Sequence, residues 1–447
     1  MQKPPKQPLI AIVSFPGNNC EVESIRAVKN AGMDALFFKW NDPVSKLENV
    51  DGYFLVGGFA YEDRGRAGMV AARDPLFALL HEESAKGKVI IGNCNGAQVL
   101  VESGLVPLDH GLKMSLARNA LGNESPGFIS EWVWITPTCK RDRCATSDWE
   151  GTQHLPIAHG EGRFITKDPD VWKTLKANDQ LAFSYCDEHG NVSDDPVITP
   201  NGSTFAIAGI CNPAGNVVAL MPHPERTENG VEYFGSMRRW IERPTSLLRE
   251  LRGAREGKMA SNFAPAGASL DKIGQKVSVT ARRPRSTEIF IGTIITNNEE
   301  RTVEQAAHRI VPDLRLTQYK YLSPEKRTPE SILSTLSLFN PNKETAVVRK
   351  DGKFFRWDSA AKKLELMRKS PLEGSVAFLR RDIPDTGAGA IGEGSPTTLP
   401  TGSELRGASQ TGVCYVCRGV KEDQLLQSAV LEIFGNPHAS VMERLSW

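Results

Sequence analysis

The first half of the chain alternates short apolar runs with helical patterns, and this alternation constrains the fold more than any other feature. The apolar runs, each with the length of a buried strand, are residues 9–13, 53–56, 88–91 and 217–221. The helical patterns that accompany them are residues 21–31, 97–101 and 231–241. Strands that alternate with helices form parallel sheets with helices packed on their faces. The pattern therefore predicts an α/β fold with an open, mostly parallel sheet.

Composition limits the class of protein. The chain has 447 residues, which is too long for one average domain, and its 54 Lys and Arg nearly balance its 53 Asp and Glu. That balance argues against a nucleic-acid partner bound by phosphate neutralisation. No run approaches the roughly 20 apolar residues of a membrane helix, and no secretory signal opens the sequence. The eight cysteines are scattered. We therefore expect a cytoplasmic enzyme that contacts neither membrane nor nucleic acid.

The second half has a different pattern. Small, polar and charged residues follow Gly253, and beyond them two segments each run from a helix through Asn-Pro into a strand, as SLFNPNKETAVV and EIFGNPHASVME. This repetition predicts a tandem duplication. The predicted domains are an α/β domain over 1–252, a linker over 253–285, and two α+β units over 286–358 and 374–447. Arg282 falls in the predicted solvated end of the linker.

Gly92-x-Cys94-x-Gly96 lies between a predicted buried strand and a helix. Glycines on both sides permit a sharp turn that exposes the central side chain, as in a nucleophile elbow. The start of the following helix favours a thiolate at that position. For this motif alone, a buried cysteine in an ordinary strand–helix turn is about equally plausible.

A histidine motif makes the catalytic interpretation of Cys94 the stronger one. Pro222-His223-Pro224-Glu225 follows another apolar strand, and the carboxylate of Glu225 can orient the His223 imidazole and stabilise its protonated form. Cys94 as nucleophile, His223 as base and Glu225 as orienting acid together predict a triad for acyl transfer. An isolated H-x-E sequence would more often be an exposed loop.

Paired glycines at 57 and 58 end the second strand. They let a backbone amide approach a substrate closely, so the N–H of Gly58 can join that of Asn95 in an oxyanion hole. The alternative is a simple turn that ends the strand.

His159, in the sequence AHGEGR, is open to two interpretations, a residue bordering the cleft or a loop residue with local hydrogen bonds. Cys414 and Cys417 form a lone C-x-x-C without a second pair, so no metal site is predicted.

These motifs resemble those of the class I glutamine amidotransferases, through GNCNGAQ and the later H-P-E. FPGNNC, GGFAYEDRGRAG, PIAHGEGRF and MPHPER, in the same order, narrow the resemblance over residues 9–245 to the PurQ-type glutaminases of phosphoribosylformylglycinamidine synthase. It implies the fold of that class, with Cys94, His223 and Glu225 as catalytic residues. It also implies Gly58 and Asn95 in the oxyanion hole and Gln98 as a contact to glutamine. The family often has glycine where this chain has Glu62.

The resemblance also implies partners. It implies a separate PurL-type synthetase that binds ATP and magnesium, while no cofactor is expected in this chain, which has no phosphate-binding G-x-x-x-x-G-K-[ST] sequence. The C-terminal units are more distantly similar to PurS, an accessory subunit of the same synthase. The alternatives are a cysteine hydrolase acting on another amide, a glutaminase that serves a different synthetase, and an assembly scaffold with a degenerate glutaminase.

Overall fold

A computed structural model describes residues 7–122, 124–243, 278–370, 372–386 and 409–446. The chain divides into two compact units, one containing Met1–Leu121 and Pro126–Gln275, the other Gly122–Ser125 and Lys276–Trp447. No helix among the described residues is long and apolar enough to cross a membrane.

The first unit is built on a nine-stranded sheet with the strand order β2-β1-β3-β4-β11-β10-β9-β6-β7. The five strands from β2 to β11 are mutually parallel, and the remaining four are added antiparallel. The predicted open α/β sheet is thus confirmed. The strands of this unit, including the separate pair β5–β8, are β1 Leu9–Ser14, β2 Asp34–Lys39, β3 Gly52–Leu55, β4 Val89–Asn93, β5 Ser115–Arg118, β6 Ile129–Pro137, β7 Gln153–His159, β8 Glu161–Ile165, β9 Leu181–Cys186, β10 Ile207–Cys211 and β11 Val217–Leu220.

Two hydrophobic cores cover the two faces of this sheet, which explains why β1, β3, β4 and β11 consist almost entirely of apolar residues. Ala11, Val13 and Leu55 belong to one core, while Ile12 and Phe54 belong to the other. Helices pack on the sheet as the alternating pattern predicts. They are α1 Glu21–Asn30, α2 Leu76–Lys86, α3 Asn95–Glu102, α4 Pro169–Ala177 and α5 Val231–Ile241.

The second unit is a single nine-stranded sheet with the order β12-β20-β18-β19-β14-β13-β15-β16-β17. Its strands are β12 Val279–Ala281, β13 Thr287–Thr293, β14 Arg315–Ser323, β15 Glu344–Lys350, β16 Lys353–Asp358, β17 Lys363–Leu366, β18 Val376–Asp382, β19 Gln410–Arg418 and β20 Ser440–Leu445. Its helices are α6 Asn298–His308, α7 Pro329–Leu333, α8 Glu422–Leu425 and α9 Ser428–Phe434.

The second sheet repeats one topology twice. In the first half β13 lies between β14 and β15, and in the second half β18 lies between β19 and β20. The halves meet where β14 pairs antiparallel with β19. The Asn-Pro corners also match, because Asn340 Oδ1 accepts from the N–H of Asn342 at 3.0 Å and Asn436 Oδ1 from that of His438 at 2.9 Å. The repeated topology and these matching corners are what a tandem duplication would produce.

The structure differs from the sequence prediction in four places. Residues 253–277 of the predicted linker lie outside the described residues, but Val279–Ala281 form a strand paired with β20. Arg282 is buried rather than solvated, because its guanidinium contacts Glu443 and donates to the hydroxyl of Tyr321 at 2.8 Å. The sequence pattern predicts a helix over residues 329–339, but the helix ends at Leu333. The hairpin β16–β17 was not predicted.

Candidate active site

The candidate site lies where three parallel strands end. Strands β3, β4 and β11 are neighbours in the sheet, so their carboxyl ends meet at one edge. Cys94 follows β4 directly, while Gly58 and His223 each lie three residues beyond the ends of β3 and β11. Such an edge is the usual ligand site of open α/β sheets. The structure thus brings the predicted nucleophile, base and oxyanion-hole residues to one place.

Cys94 occupies a strained elbow. Its backbone angles are φ 51° and ψ −110°, an unusual conformation for a residue that carries a Cβ. A Cβ on Gly92 would lie 2.5 Å from the carbonyl carbon of Gly96, and a Cβ on Gly96 would lie 2.0 Å from the oxygen of Leu55. Both glycines are therefore required for helix α3 to pack this closely against β3 and β4. The elbow aims a buried thiol, 4% exposed, at the edge of the sheet.

His223 and Glu225 form a buried pair. His223 Nδ1 lies 2.6 Å from Glu225 Oε1, and Glu225 Oε2 accepts from the side-chain amide of Asn93 at 2.9 Å. The hydroxyl of Tyr233 in turn donates to Asn93 Oδ1 at 3.2 Å. Both carboxylate oxygens are thus occupied, which fixes the imidazole with Nδ1 towards Glu225. Its Nε2 has no hydrogen-bond partner in the described part of the chain.

Neighbouring groups favour the protonated form of His223. Burial alone would lower the pKa of His223, but the neighbouring Cys94, Glu225 and Cys20 hold that pKa well above its ordinary value. Burial likewise opposes ionisation of Glu225, yet His223 and Asn93 keep its pKa below the ordinary value. The Sγ of Cys94 also lies 3.6 Å from the carbonyl oxygen of Ala158 on β7.

Two backbone amides are available for an oxyanion. Gly58 has φ 130°, and a Cβ there would lie 2.6 Å from the Cα of Asn18, so only glycine fits. Asn95 is the first residue of helix α3, where backbone N–H groups have no partner within the helix. Among the described residues, neither the N–H of Gly58 nor that of Asn95 has a hydrogen-bond acceptor. This is the condition that an oxyanion hole requires.

Side chains next to the elbow form a connected polar network. The side-chain amide of Asn95 donates to Gln98 Oε1 at 2.9 Å and to Asp63 Oδ1 at 3.1 Å. The amide of Gln98 donates to the carbonyl oxygen of Glu161. Burial, together with the negative charge of Glu161, raises the pKa of Asp63 to about 7. These hydrogen bonds hold the side chain of Gln98 in place beside the elbow. The carboxylates of Asp63 and Glu161 belong to the same surroundings.

Sequence reasoning gave no role to Cys20, which lies beside the base. The guanidinium of Arg226 donates to Cys20 Sγ at 3.0 Å, and candidate ligand atoms of Cys20, His223 and Glu225 lie within 4.8 Å of one another. A metal ion there would have to break the 2.6 Å contact between His223 and Glu225. Cys20 ends the FPGNNC motif, but nothing in its spacing places it beside residue 223.

The backbone of the loop after Gly58 bears on Glu62, where the resemblance leads us to expect glycine. Tyr61, Glu62 and Asp63 have φ values of 53°, 58° and 52°, so three consecutive residues lie in the left-handed region that favours glycine. The backbone at Glu62 is of the kind that glycine adopts at least cost.

The first half of the chain is similar to known proteins. The family model of the CobB/CobQ-like glutamine amidotransferase domain matches residues 7–245. The phosphoribosylformylglycinamidine synthase subunit PurQ of Methanothrix thermoacetophila is 41% identical over 52% of this chain and 98% of its own length. The same subunit of Saccharolobus solfataricus is 39% identical over 49% of this chain and 89% of its own length. A solved structure of PurLQS from Thermotoga maritima has a chain that is 29% identical, with a TM-score of 0.42 over 53% of this chain and all of its own.

Proposed function

The chain belongs to the glutamine amidotransferase family, among its PurQ-type members, and we propose that it is the glutaminase component of phosphoribosylformylglycinamidine synthase. In this role it hydrolyses glutamine to glutamate and ammonia for the ATP-dependent amidation of formylglycinamide ribonucleotide in purine biosynthesis. The observation that carries the proposal is the Cys94 elbow, which lies between two glycines that admit no side chain.

In the proposed mechanism the Cys94 thiolate attacks the side-chain amide carbon of glutamine. The N–H groups of Gly58 and Asn95 hold the developing oxyanion. Protonated His223 gives its proton to the departing ammonia. Breaking the C–N bond leaves a γ-glutamyl thioester on Cys94.

The second half of the reaction releases glutamate. Neutral His223 takes a proton from water, whose oxygen attacks the thioester carbonyl, and the thiolate leaves. Glu225 serves in both halves, because it keeps Nδ1 engaged while Nε2 loses and regains its proton. Asn93 holds Glu225 in place through the 2.9 Å hydrogen bond.

The acceptor of the ammonia is the partner's substrate in this proposal. A PurL-type synthetase would bind ATP, magnesium and formylglycinamide ribonucleotide, and the chain itself would need no cofactor. The C-terminal sheet would take the place of a PurS dimer. The duplicated topology supports this assignment, because two fused units give one chain the symmetry of such a dimer. A different synthetase or a degenerate scaffold is less favoured, since the triad is intact and PurQ subunits align along nearly their whole length.

Substitution of the nucleophile tests the proposal. The full chain with Cys94→Ala, mixed with the synthetase, should lose amidine formation from glutamine but keep it from ammonium salts. An electrophilic glutamine analogue should label Cys94 and none of the other cysteines, which peptide mass spectrometry can establish.

Cys417→Ala is a matched control, because Cys417 is also buried but lies on strand β19 of the second unit. It should change neither amidine formation nor labelling. Undiminished glutamate release by Cys94→Ala would contradict the assignment of the nucleophile.

A further inference from the structure

His159 is a buried histidine that the mechanism above does not use. It ends strand β7, its side chain is almost fully enclosed at 2% exposure, and neither of its ring nitrogens has a hydrogen-bond partner in the described chain. Buried polar groups in folded proteins are nearly always hydrogen-bonded, and each exception calls for an explanation. An imidazole with two unpaired nitrogens therefore points to a partner that enters from outside the chain.

His159 lies close to the proposed catalytic residues, near enough to His223 for the charge of His223 to affect its ring. The preceding residue, Ala158, presents the carbonyl oxygen that lies 3.6 Å from Cys94 Sγ. The same strand also holds the base, because the N–H of His223 donates to the carbonyl of Pro156 at 2.9 Å. Strand β7 thus carries His159 and, through its carbonyl groups, contacts both the nucleophile and the base.

The chain makes room for this ring. A Cβ on Gly162 would lie 2.2 Å from His159 Cε1 and 2.4 Å from Nδ1, so only glycine at position 162 leaves space for the imidazole. Asn119 supports the same turn, since its amide donates to the carbonyl of His159 at 2.8 Å and its Oδ1 accepts from the N–H of Gly162 at 3.1 Å. The ring is held in place without any hydrogen bond to its nitrogens.

The ring is neutral at working pH. Burial, assisted by the positive charge of His223, lowers the pKa of His159 to about 3. A neutral imidazole offers one N–H donor and one lone pair, which suits an uncharged amide or ammonia. Ammonium is a weaker acid than an ordinary imidazolium, so a protonated histidine here would turn released ammonia into ammonium, which is not a nucleophile. A neutral histidine can accept a hydrogen bond from ammonia without giving the ammonia a proton.

We propose that His159 is a positioning residue that hydrogen-bonds the carboxamide of glutamine and then the ammonia that leaves it. This inference rests on the proposed glutaminase function. It predicts that loss of the ring nitrogens impairs both the use of glutamine and the transfer of its nitrogen.

The test compares His159→Phe, which keeps a ring without nitrogens, with His159→Asn, which keeps a neutral donor and acceptor. In the full chain with its synthetase, His159→Phe should lower kcat/KM for glutamine by about 10- to 100-fold, the usual effect of losing a buried hydrogen-bond partner. It should also lower the amidine formed per glutamate released. His159→Asn should recover part of both. A merely structural histidine would alter unfolding temperature without altering this ratio.

His154→Phe is the matched control, because His154 lies on the same strand but stacks on Trp134 at 4.4 Å between ring centroids. It should leave kcat/KM and the ratio unchanged. Wild-type values of both for His159→Phe would overturn the inference, whereas a wild-type chain that releases no glutamate with its synthetase would overturn the proposed function instead.

A measurement on the unsubstituted chain covers the case in which His159→Phe does not fold. In ¹⁵N-histidine NMR, one neutral ring should stay untitrated between pH 5 and 8, and its nitrogen shifts should move when the glutamine analogue labels Cys94. Shifts that remain unchanged on labelling would refute contact between His159 and the bound ligand.

Discussion

Replacing Gly96 with alanine should abolish glutaminase activity while leaving the chain folded. The new Cβ would lie 2.0 Å from the oxygen of Leu55, whereas ordinary contacts begin near 3.4 Å, so β3 and the start of α3 must separate by more than an ångström. Misplacement of a catalytic group by about 1 Å can cost roughly 100-fold in rate. Overpacking of this kind costs about 1–3 kcal/mol of stability, less than a typical domain possesses. We therefore expect at least a 100-fold loss in a folded protein.

The assay is the rate at which an electrophilic glutamine analogue labels Cys94, followed by intact mass and accompanied by thermal unfolding. Gly235→Ala is the control, because its Cβ would meet the flexible side-chain ends of Arg239 at 3.2 Å and Glu232 at 3.8 Å. Since Gly235 lies inside helix α5, alanine there should increase stability by up to about 1 kcal/mol and leave labelling unchanged. Labelling of Gly96→Ala at the wild-type rate would refute the argument that this glycine sets the elbow.

Four further predictions follow from the same site and its surroundings. Glu225→Gln should impair activity less than His223→Ala, because it removes the orienting group rather than the proton carrier. It should also lower the pKa of His223, which the pH profile of Cys94 labelling would record as a shift to lower pH. Asp63→Asn should stabilise the chain, and more at pH 8 than at pH 5, because a pKa of about 7 means that ionisation costs folding free energy as pH rises. The gain should be about 1–3 kcal/mol at pH 8, allowing for partial exposure, and denaturant titrations giving equal gains at both pH values would contradict this. Glu62→Gly should stabilise by about 1 kcal/mol in thermal unfolding, since a left-handed residue with a side chain is strained; a lower midpoint than wild type would count against it. Truncation near Gly253 should leave a folded glutaminase that no longer assembles with its synthetase, and light scattering showing equal complex formation would exclude a bridging role for the C-terminal sheet.

The sequence was sufficient to predict the parts of the fold that depend on local pattern. Strand β1 and helix α5 lie within a residue or two of their predicted bounds, because buried parallel strands and amphipathic helices have clear periodicity. The sequence does not predict the hairpin β16–β17, since charged residues interrupt both strands and nearly all of their side chains are at least partly exposed. Helix α7 ends at Leu333, and the chain continues in a turn in which the N–H groups of Leu338 and Phe339 donate to the carbonyl of Thr335 at 2.9 and 3.0 Å, which periodicity does not reveal.

For the site, sequence reasoning could identify residues that belong to motifs but not those that meet only in space. Cys94 and His223 lie in short motifs at strand ends, and the sheet topology alone brings them to one edge. Asn93 and Cys20 act through neighbours far away in sequence, such as Glu225 and Arg226. Their roles depend on the order of strands in the sheet, which no local pattern contains.

The antiparallel junction of β14 with β19 has a consequence for assembly. A pair of identical subunits must present the same edge at both ends, whereas two halves of one chain can diverge. Here one end of the sheet carries the hairpin β16–β17, and the other carries β12, which runs parallel to β20. The two ends of the sheet therefore differ, and a partner that recognises one of them can dock in only one direction.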